Sequence, residues 1–126
     1  RLMSKVILLA DDEPDTVLLV HERLKGVGYE VVSAYTGEEV LQKVEEKTPD
    51  LILLDIVMPG MNGIELARHA REKDPDLPVI FITGFSAVAM EALDTVDGVS
   101  KVLSKPFHLN SLVEAVRNAL DDRAIS

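Results

Sequence analysis

The chain has 126 residues, 47% of them apolar, and its 13 Lys and Arg against 22 Asp and Glu give a formal net charge of −9. This length suits one domain with its own core, and the acidic balance argues against direct nucleic-acid binding, which needs a basic surface. Without cysteine the chain has no disulfides or thiolate metal sites. Since no apolar run is long enough for a signal sequence or a membrane span, we expect a cytoplasmic protein without a membrane partner.

Two apolar patterns alternate along the chain and predict alternating strands and helices. Solid runs rich in Val, Ile and Leu predict five strands buried on both faces, namely VILLA (6–10), VVSAY (31–35), LILLDIV (51–57), PVIFIT (78–83) and VSKVLS (99–104). Spaced apolar residues and helix-end signals predict five helices: Pro14 to about 26–28, from 36–38 onward, 62–63 to 74–75, a short one at about 86–93, and one from Leu109 to Leu120.

The predicted fold is α/β, with a doubly wound five-stranded parallel sheet. Each connection between strands is long enough for a crossover helix, which parallel strands require. We expect a single domain over residues 1–126, with its core at about 5–121 and no output domain in this chain. In such sheets ligands bind beyond the carboxyl ends of the strands, where the winding direction reverses.

Polar residues stand at these strand ends in an unusual number, at Asp11-Asp12, Asp55, Thr83-Gly84 and Lys105-Pro106. An acid inside LILLDIV is costly to bury unless it meets a cation, a metal or a catalytic task. Each residue also has a plainer interpretation: the acids as helix caps or solvated strand ends, the lysine as a surface residue, the threonine as a β-former. Their concentration at one edge of the sheet favours a functional site.

Three carboxylates in one small cleft would repel one another unless a hard divalent cation lay between them, and carboxylate oxygens favour Mg²⁺. The formal charges of Asp11, Asp12 and Asp55 are cancelled by those of Lys105 and one Mg²⁺. Such a site could accept a phosphoryl group, because neutralising the transferring phosphate is the main electrostatic need of phosphoryl transfer.

The segments LLADDEPD, LLDIVMPGMNG, FITG and LSKPF, in this order and at these intervals, resemble the receiver domain of two-component response regulators over essentially the whole chain. The resemblance implies a sheet in the order 2-1-3-4-5 flanked by five helices. It makes Asp55 the acceptor of a phosphoryl group from a histidine kinase or phosphotransfer protein. It also implies Mg²⁺ held by Asp12, Asp55 and the backbone carbonyl of Val57, with Asp11 acting largely through water.

The resemblance further implies a phosphorelay switch that catalyses only its own phosphorylation and slow dephosphorylation. Lys105 and Thr83 would contact the phosphoryl oxygens, and Thr83 would move toward them in the switch. The output would pass through the face of the fourth helix, fifth strand and fifth helix to a target protein, an output domain or a second copy of the chain. Val102 stands where the family usually has Tyr or Phe, so we expect phosphorylation to survive with a smaller conformational readout.

Three other functions are compatible with parts of this pattern. A flavodoxin-like cofactor protein shares the topology, but the acids after the first strand would repel its phosphate. A Mg²⁺-dependent aspartyl phosphatase would need a second acid two residues beyond Asp55, where Val57 stands. An interaction module that has lost phosphorylation would have little reason to keep all five polar residues.

Overall fold

The computed structural model describes residues 4–58, 61–84 and 99–125. Strands and helices alternate along these residues, as the two apolar patterns predict. The elements are β1 (Val6–Ala10), α1 (Pro14–Val27), β2 (Glu30–Ala34), α2 (Gly37–Glu46), β3 (Leu51–Asp55), β4 (Val57–Met58), β5 (Met61–Asn62), α3 (Gly63–Lys73), β6 (Val79–Thr83), β7 (Val99–Ser104) and α4 (Leu109–Ile125).

Five strands form one parallel sheet in the order β2-β1-β3-β6-β7. Counting only the strands of this sheet, the order is 2-1-3-4-5, as the resemblance implies. The two-residue strands β4 and β5 pair antiparallel in a separate ribbon. Four helices accompany the sheet in the described parts of the chain, and the helix predicted at about 86–93 lies outside them.

Alternate residues of the central strands face two separate apolar layers. Ile7 and Leu9 pack with buried residues of α1 and α4, whereas Leu8 and Ala10 pack with those of α2 and α3. All five residues of β1, β3 and β6 are buried. The solid apolar runs therefore reflect strands that are covered by helices on both faces.

Burial on both faces is only partial in the two edge strands, although each contacts both apolar layers, β2 through Val31 and Val32 and β7 through Val102 and Leu103. In β2 only Ala34 is fully buried and Glu30 is exposed. In β7 Leu103 is buried, but Lys101 and Ser104 are exposed. An apolar run shows that a strand has apolar side chains, but it does not show whether the strand lies in the centre of the sheet or at its edge.

Local signals place the helix ends next to the strand ends. Pro14 opens α1 directly after the acids, and Gly28 ends it with φ 115°, a left-handed conformation that favours glycine. Asn62 caps α3 through its side-chain oxygen, which accepts a hydrogen bond of 2.7 Å from the Ile64 amide. Among the helices of the described residues, none is both long and apolar enough to cross a membrane.

Candidate functional site

The carboxyl ends of the central strands bring three acidic side chains together. Asp11 and Asp12 follow β1, and Asp55 is the last residue of the neighbouring strand β3. Carboxylate oxygens from the three residues all lie within 4.8 Å of one another. The expectation that these acids share one cleft agrees with the geometry, because neighbouring parallel strands end at the same edge of the sheet.

Asp11 forms the fully buried wall of this cleft. Its Oδ1 accepts a hydrogen bond of 2.9 Å from the Glu13 amide. Its Oδ2 lies 2.9 Å from Lys105 Nζ in an ion pair outside hydrogen-bond angles, and within the described residues this oxygen accepts no hydrogen bond. Lys105 thus compensates the charge of this oxygen but leaves it without the hydrogen-bond donor that a buried acceptor normally has.

The other two acids differ in exposure. The Asp55 side chain is only 9% exposed, and its Oδ2 accepts a hydrogen bond of 3.2 Å from Lys105 Nζ. Asp12 is exposed at the mouth of the cleft. The cleft therefore has a buried floor that carries charge and an open side through which an ion or a donor molecule can approach.

Lys105 reaches the acids from the loop after β7. Its backbone amide donates a hydrogen bond of 2.7 Å to the Thr83 carbonyl, and its bond to Pro106 is cis. Burial disfavours the charged ammonium, but the contacts with Glu13 and Asp11 and the charges of Asp11 and Asp55 outweigh it and raise the pKa of Lys105 above its ordinary value. Lys105 is therefore a fixed positive charge in the cleft.

Glu13 also belongs to the charged residues of the cleft, although the sequence motifs predict no role for it. Its carboxylate forms an ion pair and hydrogen bond with Lys105 Nζ across 92 residues of sequence. The sequence feature that could have pointed to Glu13 is its position as a third acid directly after Asp11 and Asp12. The sequence could not show that Glu13 turns toward the lysine, because the direction of its side chain depends on a residue 92 positions away.

Gly63 and Gly84, near the cleft, differ in how much room a side chain would have. A Cβ added to Gly84, which follows the fully buried Thr83, would meet no heavy atom of the described residues within 4 Å. A Cβ at Gly63 would lie 2.6 Å from Ile56 Cα and 2.8 Å from the Asp55 carbonyl oxygen. The start of α3 therefore packs directly on the backbone that follows Asp55, and only glycine fits there.

The last two predicted site residues are Val57 and Val102. Val57 is in β4, two residues beyond Asp55, where its backbone pairs with Asn62. Val102 pairs with the fully buried Phe81 of β6 and packs, partly buried, against the apolar layer on the α2 and α3 side of the sheet. Its contacts are those of a core residue at the edge of the sheet.

This arrangement fits a hard divalent cation. Three carboxylates offer oxygen ligands within 4.8 Å, and one buried oxygen, Asp11 Oδ2, accepts no hydrogen bond within the described residues. Lys105 supplies a single positive charge against these acids and Glu13. Mg²⁺, which prefers oxygen ligands and keeps several of its own waters, suits such a site.

Comparisons with known proteins agree with the sequence motifs. The family model of the response regulator receiver domain matches residues 7–117. The chain is 46% identical to the response regulator receiver protein CpdR of Brucella abortus, over 92% of this chain and 97% of that protein. It is 35% identical to the alkaline phosphatase synthesis transcriptional regulatory protein PhoP of Bacillus subtilis, but spans only 49% of that longer chain.

Solved structures give the same result for the fold. A CheY-like receiver domain protein from Methanospirillum hungatei superposes with a TM-score of 0.86 at 31% identity, covering 97% of this chain and 98% of that one. The response regulator TrrA of Thermotoga maritima, solved in complex with Mg²⁺ and BeF, gives a TM-score of 0.81 at 35% identity, covering 91% and 98%. Phosphoryl-acceptor signalling is the general function of such domains. From its sequence and its fold alike, this chain belongs to the response regulator receiver domain family.

Proposed function

We propose that this chain is a phosphorylation-dependent switch that accepts a phosphoryl group on the Asp55 carboxylate. The observation that carries the proposal is the position of Asp55, nearly buried, hydrogen-bonded to Lys105 and within 4.8 Å of two further acids. The donor is a phosphohistidine of a histidine kinase or phosphotransfer protein, which approaches from the open side of the cleft where Asp12 is exposed.

The reaction is a nucleophilic displacement at phosphorus. An Asp55 carboxylate oxygen forms the new bond, the phosphorus–nitrogen bond of the donor breaks, and the imidazole leaves with the electron pair. Lys105 contacts the phosphoryl oxygens, and the Thr83 hydroxyl donates a hydrogen bond to one of them. Water later cleaves the acyl phosphate, so the chain catalyses only its own modification and its slow reversal.

Mg²⁺ completes this site in our proposal. Asp12, Asp55 and the Val57 backbone carbonyl would hold the ion, and Asp11 would act largely through water. When bound, the ion neutralises the negative charge of the phosphoryl oxygens. The buried Asp11 Oδ2 supports this assignment: it lies 2.9 Å from Lys105 Nζ but accepts no hydrogen bond within the described residues, and a hydrated cation would supply a donor.

The competing functions fit the residues less well. Three acids after β1 repel the phosphate of a flavin nucleotide, where a flavodoxin-like protein needs an anion-binding loop. Residue 57 is a valine, whereas the aspartyl phosphatase would need a second acid there. A module that no longer accepts phosphate has no evident need for a lysine held among buried carboxylates.

Phosphorylation by a small donor tests the proposal directly. The chain is incubated with Mg²⁺ and acetyl phosphate, and its intact mass is measured with and without EDTA. We expect one added phosphoryl group in the presence of Mg²⁺ and none when EDTA is present from the start of the reaction. If no phosphoryl group is added with any small donor and Mg²⁺ binding is also absent, the chain is a binding module that has kept the fold alone.

Replacing the exposed acid tests the metal assignment. Asp12→Asn should weaken Mg²⁺ binding by at least about tenfold, because loss of a charged ligand costs at least as much as loss of a group that only supports a ligand. Asp12 suits this test because it is exposed, so that the substitution leaves the core packing unchanged. Calorimetric titration with MgCl₂ measures the affinity, and an affinity equal to that of the wild-type chain contradicts the assignment.

The output surface in our proposal is formed by the segment around 86–93, which lies outside the described residues, together with β7 and α4. Partners on this face are a target protein, an output domain or a second copy of the chain. The partly buried Val102 has no ring to rotate, so the conformational readout in β7 should be small. Backbone NMR spectra with and without beryllofluoride test this, and large shifts centred on residues 99–104 contradict it.

A further inference from the structure

Three carboxylates surround the ammonium group of Lys105. Nζ lies 2.9 Å from Asp11 Oδ2 and 3.2 Å from Asp55 Oδ2, and it is also in contact with Glu13 Oε1. An ammonium has three N–H donors and no acceptor. Glu13 and Asp55 each accept a hydrogen bond from Nζ, and Asp11 Oδ2 lies against the ammonium in an ion pair. A phosphoryl oxygen on Asp55 therefore enters a space around Nζ that carboxylates already occupy, and it competes with them for the ammonium.

The three partners of Lys105 differ greatly in exposure. The side chain of Asp11 is 0% exposed and that of Asp55 is 9% exposed, whereas that of Glu13 is 59% exposed. Asp55 loses its carboxylate charge when it becomes an acyl phosphate, so Asp11 and Glu13 are the partners that stay charged. Separating the buried Asp11 pair would leave an uncompensated charge in a medium of low dielectric constant. The contact with Glu13 is weaker, because water solvates the exposed Glu13 carboxylate when it separates, while Lys105 keeps Asp11 beside it. Glu13 is therefore the partner that exchanges most easily.

The backbone around Glu13 allows this exchange. Glu13 occupies the N-cap position of α1, but its side chain makes no capping hydrogen bond. Its amide is held separately by Asp11 Oδ1, at 2.9 Å. The carboxylate can thus leave Lys105 and turn to solvent without loss of a helix cap or movement of the backbone that holds Asp11 and Asp12.

We propose that Glu13 is a positioning residue that holds Lys105 while Asp55 is unmodified and is displaced by the incoming phosphoryl group. Glu13 then competes with that group for the same ammonium. Its presence keeps the lysine in place over the cleft, and it lowers the affinity of the site for a phosphoryl group. This inference rests on the proposed function, because it assumes that Lys105 pairs with a phosphoryl group on Asp55.

Removing the Glu13 carboxylate should therefore tighten the binding of a phosphoryl mimic. We measure the affinity for beryllofluoride at saturating Mg²⁺ by ¹⁹F NMR, in the wild-type chain and in Glu13→Gln. The expected gain is about threefold to fivefold, within the range of an exposed ion pair. Asp15→Asn is the matched control, because it removes one exposed negative charge two residues from Glu13. Asp15 is not one of the three carboxylates in contact with Lys105.

A double-mutant cycle shows whether Glu13 acts through Lys105. In a Lys105→Ala background, the Glu13→Gln substitution should no longer change the affinity for beryllofluoride, because the group for which Glu13 competes is gone. A general effect of charge would instead persist in that background and would also appear in Asp15→Asn. Either of these two results overturns the inference.

The wild-type chain separates this inference from the proposal on which it rests. If the wild-type chain binds beryllofluoride and Glu13→Gln binds it equally or more weakly, the competition is refuted and the proposed function stands. If the wild-type chain binds no beryllofluoride in the presence of Mg²⁺, the proposed function fails and the inference fails with it. Tighter binding in Glu13→Gln alone, abolished by Lys105→Ala, supports the inference.

Discussion

An Asp55→Asn chain should take up no phosphoryl group from acetyl phosphate under conditions in which the wild-type chain is modified. The amide keeps the shape of the side chain at the end of β3, but it is not a nucleophile toward phosphorus. Lys105 keeps its contacts with Asp11 and Glu13 in this variant, so the cleft remains ordered. Intact-mass measurement over a time course follows the reaction.

The control for this experiment is Asp15→Asn, which makes the same chemical change in the first turn of α1. This variant should be modified at a rate close to that of the wild-type chain, because the nucleophile and Lys105 are both retained. Modification of Asp55→Asn at the wild-type rate contradicts the assignment of the acceptor. Loss of modification in both variants shows that charge near the cleft, rather than the nucleophile, controls the reaction.

Gly63→Ala should destabilise the fold by about 1–3 kcal/mol, the usual cost of forcing extra atoms into a packed region. The added Cβ would lie 2.6 Å from Ile56 Cα and 2.8 Å from the carbonyl oxygens of Asp55 and Ile56. These are backbone atoms that cannot rotate away. The Gly63 amide also donates a hydrogen bond of 2.8 Å to the Ile56 carbonyl, which ties the start of α3 to the residue after the acceptor.

Gly26→Ala is the matched control for this substitution. Gly26 lies in the last turn of α1, where a Cβ would meet no heavy atom within 4 Å in the described parts of the chain. Alanine there should stabilise the chain by about 0.5–1 kcal/mol, because it favours the helix more than glycine does. Urea unfolding of both variants gives the comparison. A Gly63→Ala chain as stable as the wild type would mean that the close packing after Asp55 is not required.

The sequence predicts the elements best where local signals are strong. β1 has the predicted bounds because the run VILLA meets acids at its end, and α1 begins at Pro14 and ends at Val27 before a left-handed Gly28. The third strand is shorter than the run LILLDIV suggests. It ends at Asp55, and Val57 belongs to the separate ribbon of β4 and β5. An apolar run continues across such a break without any change in composition.

The sequence predicts which strand-end residues meet in the candidate site, but it does not predict all of their contacts. Parallel order places Asp11, Asp55 and Lys105 at one edge of the sheet, and the structure has their charged atoms in contact. The side-chain directions of the neighbouring residues depend on contacts distant in sequence. The pairing of Glu13 with Lys105 and the packing of Gly63 on Ile56 therefore became visible only in three dimensions.

The central claim is that Asp55 carries the phosphoryl group, and chemical trapping of the acyl phosphate tests it most directly. The wild-type chain is treated with Mg²⁺ and acetyl phosphate and then reduced with borohydride, which converts a phosphorylated aspartate into homoserine. Peptide sequencing by mass spectrometry locates the changed residue. We expect homoserine at position 55 and unchanged aspartate at positions 11 and 12. Homoserine at another position, or a phosphoryl group on a residue that borohydride does not reduce, would contradict the assignment.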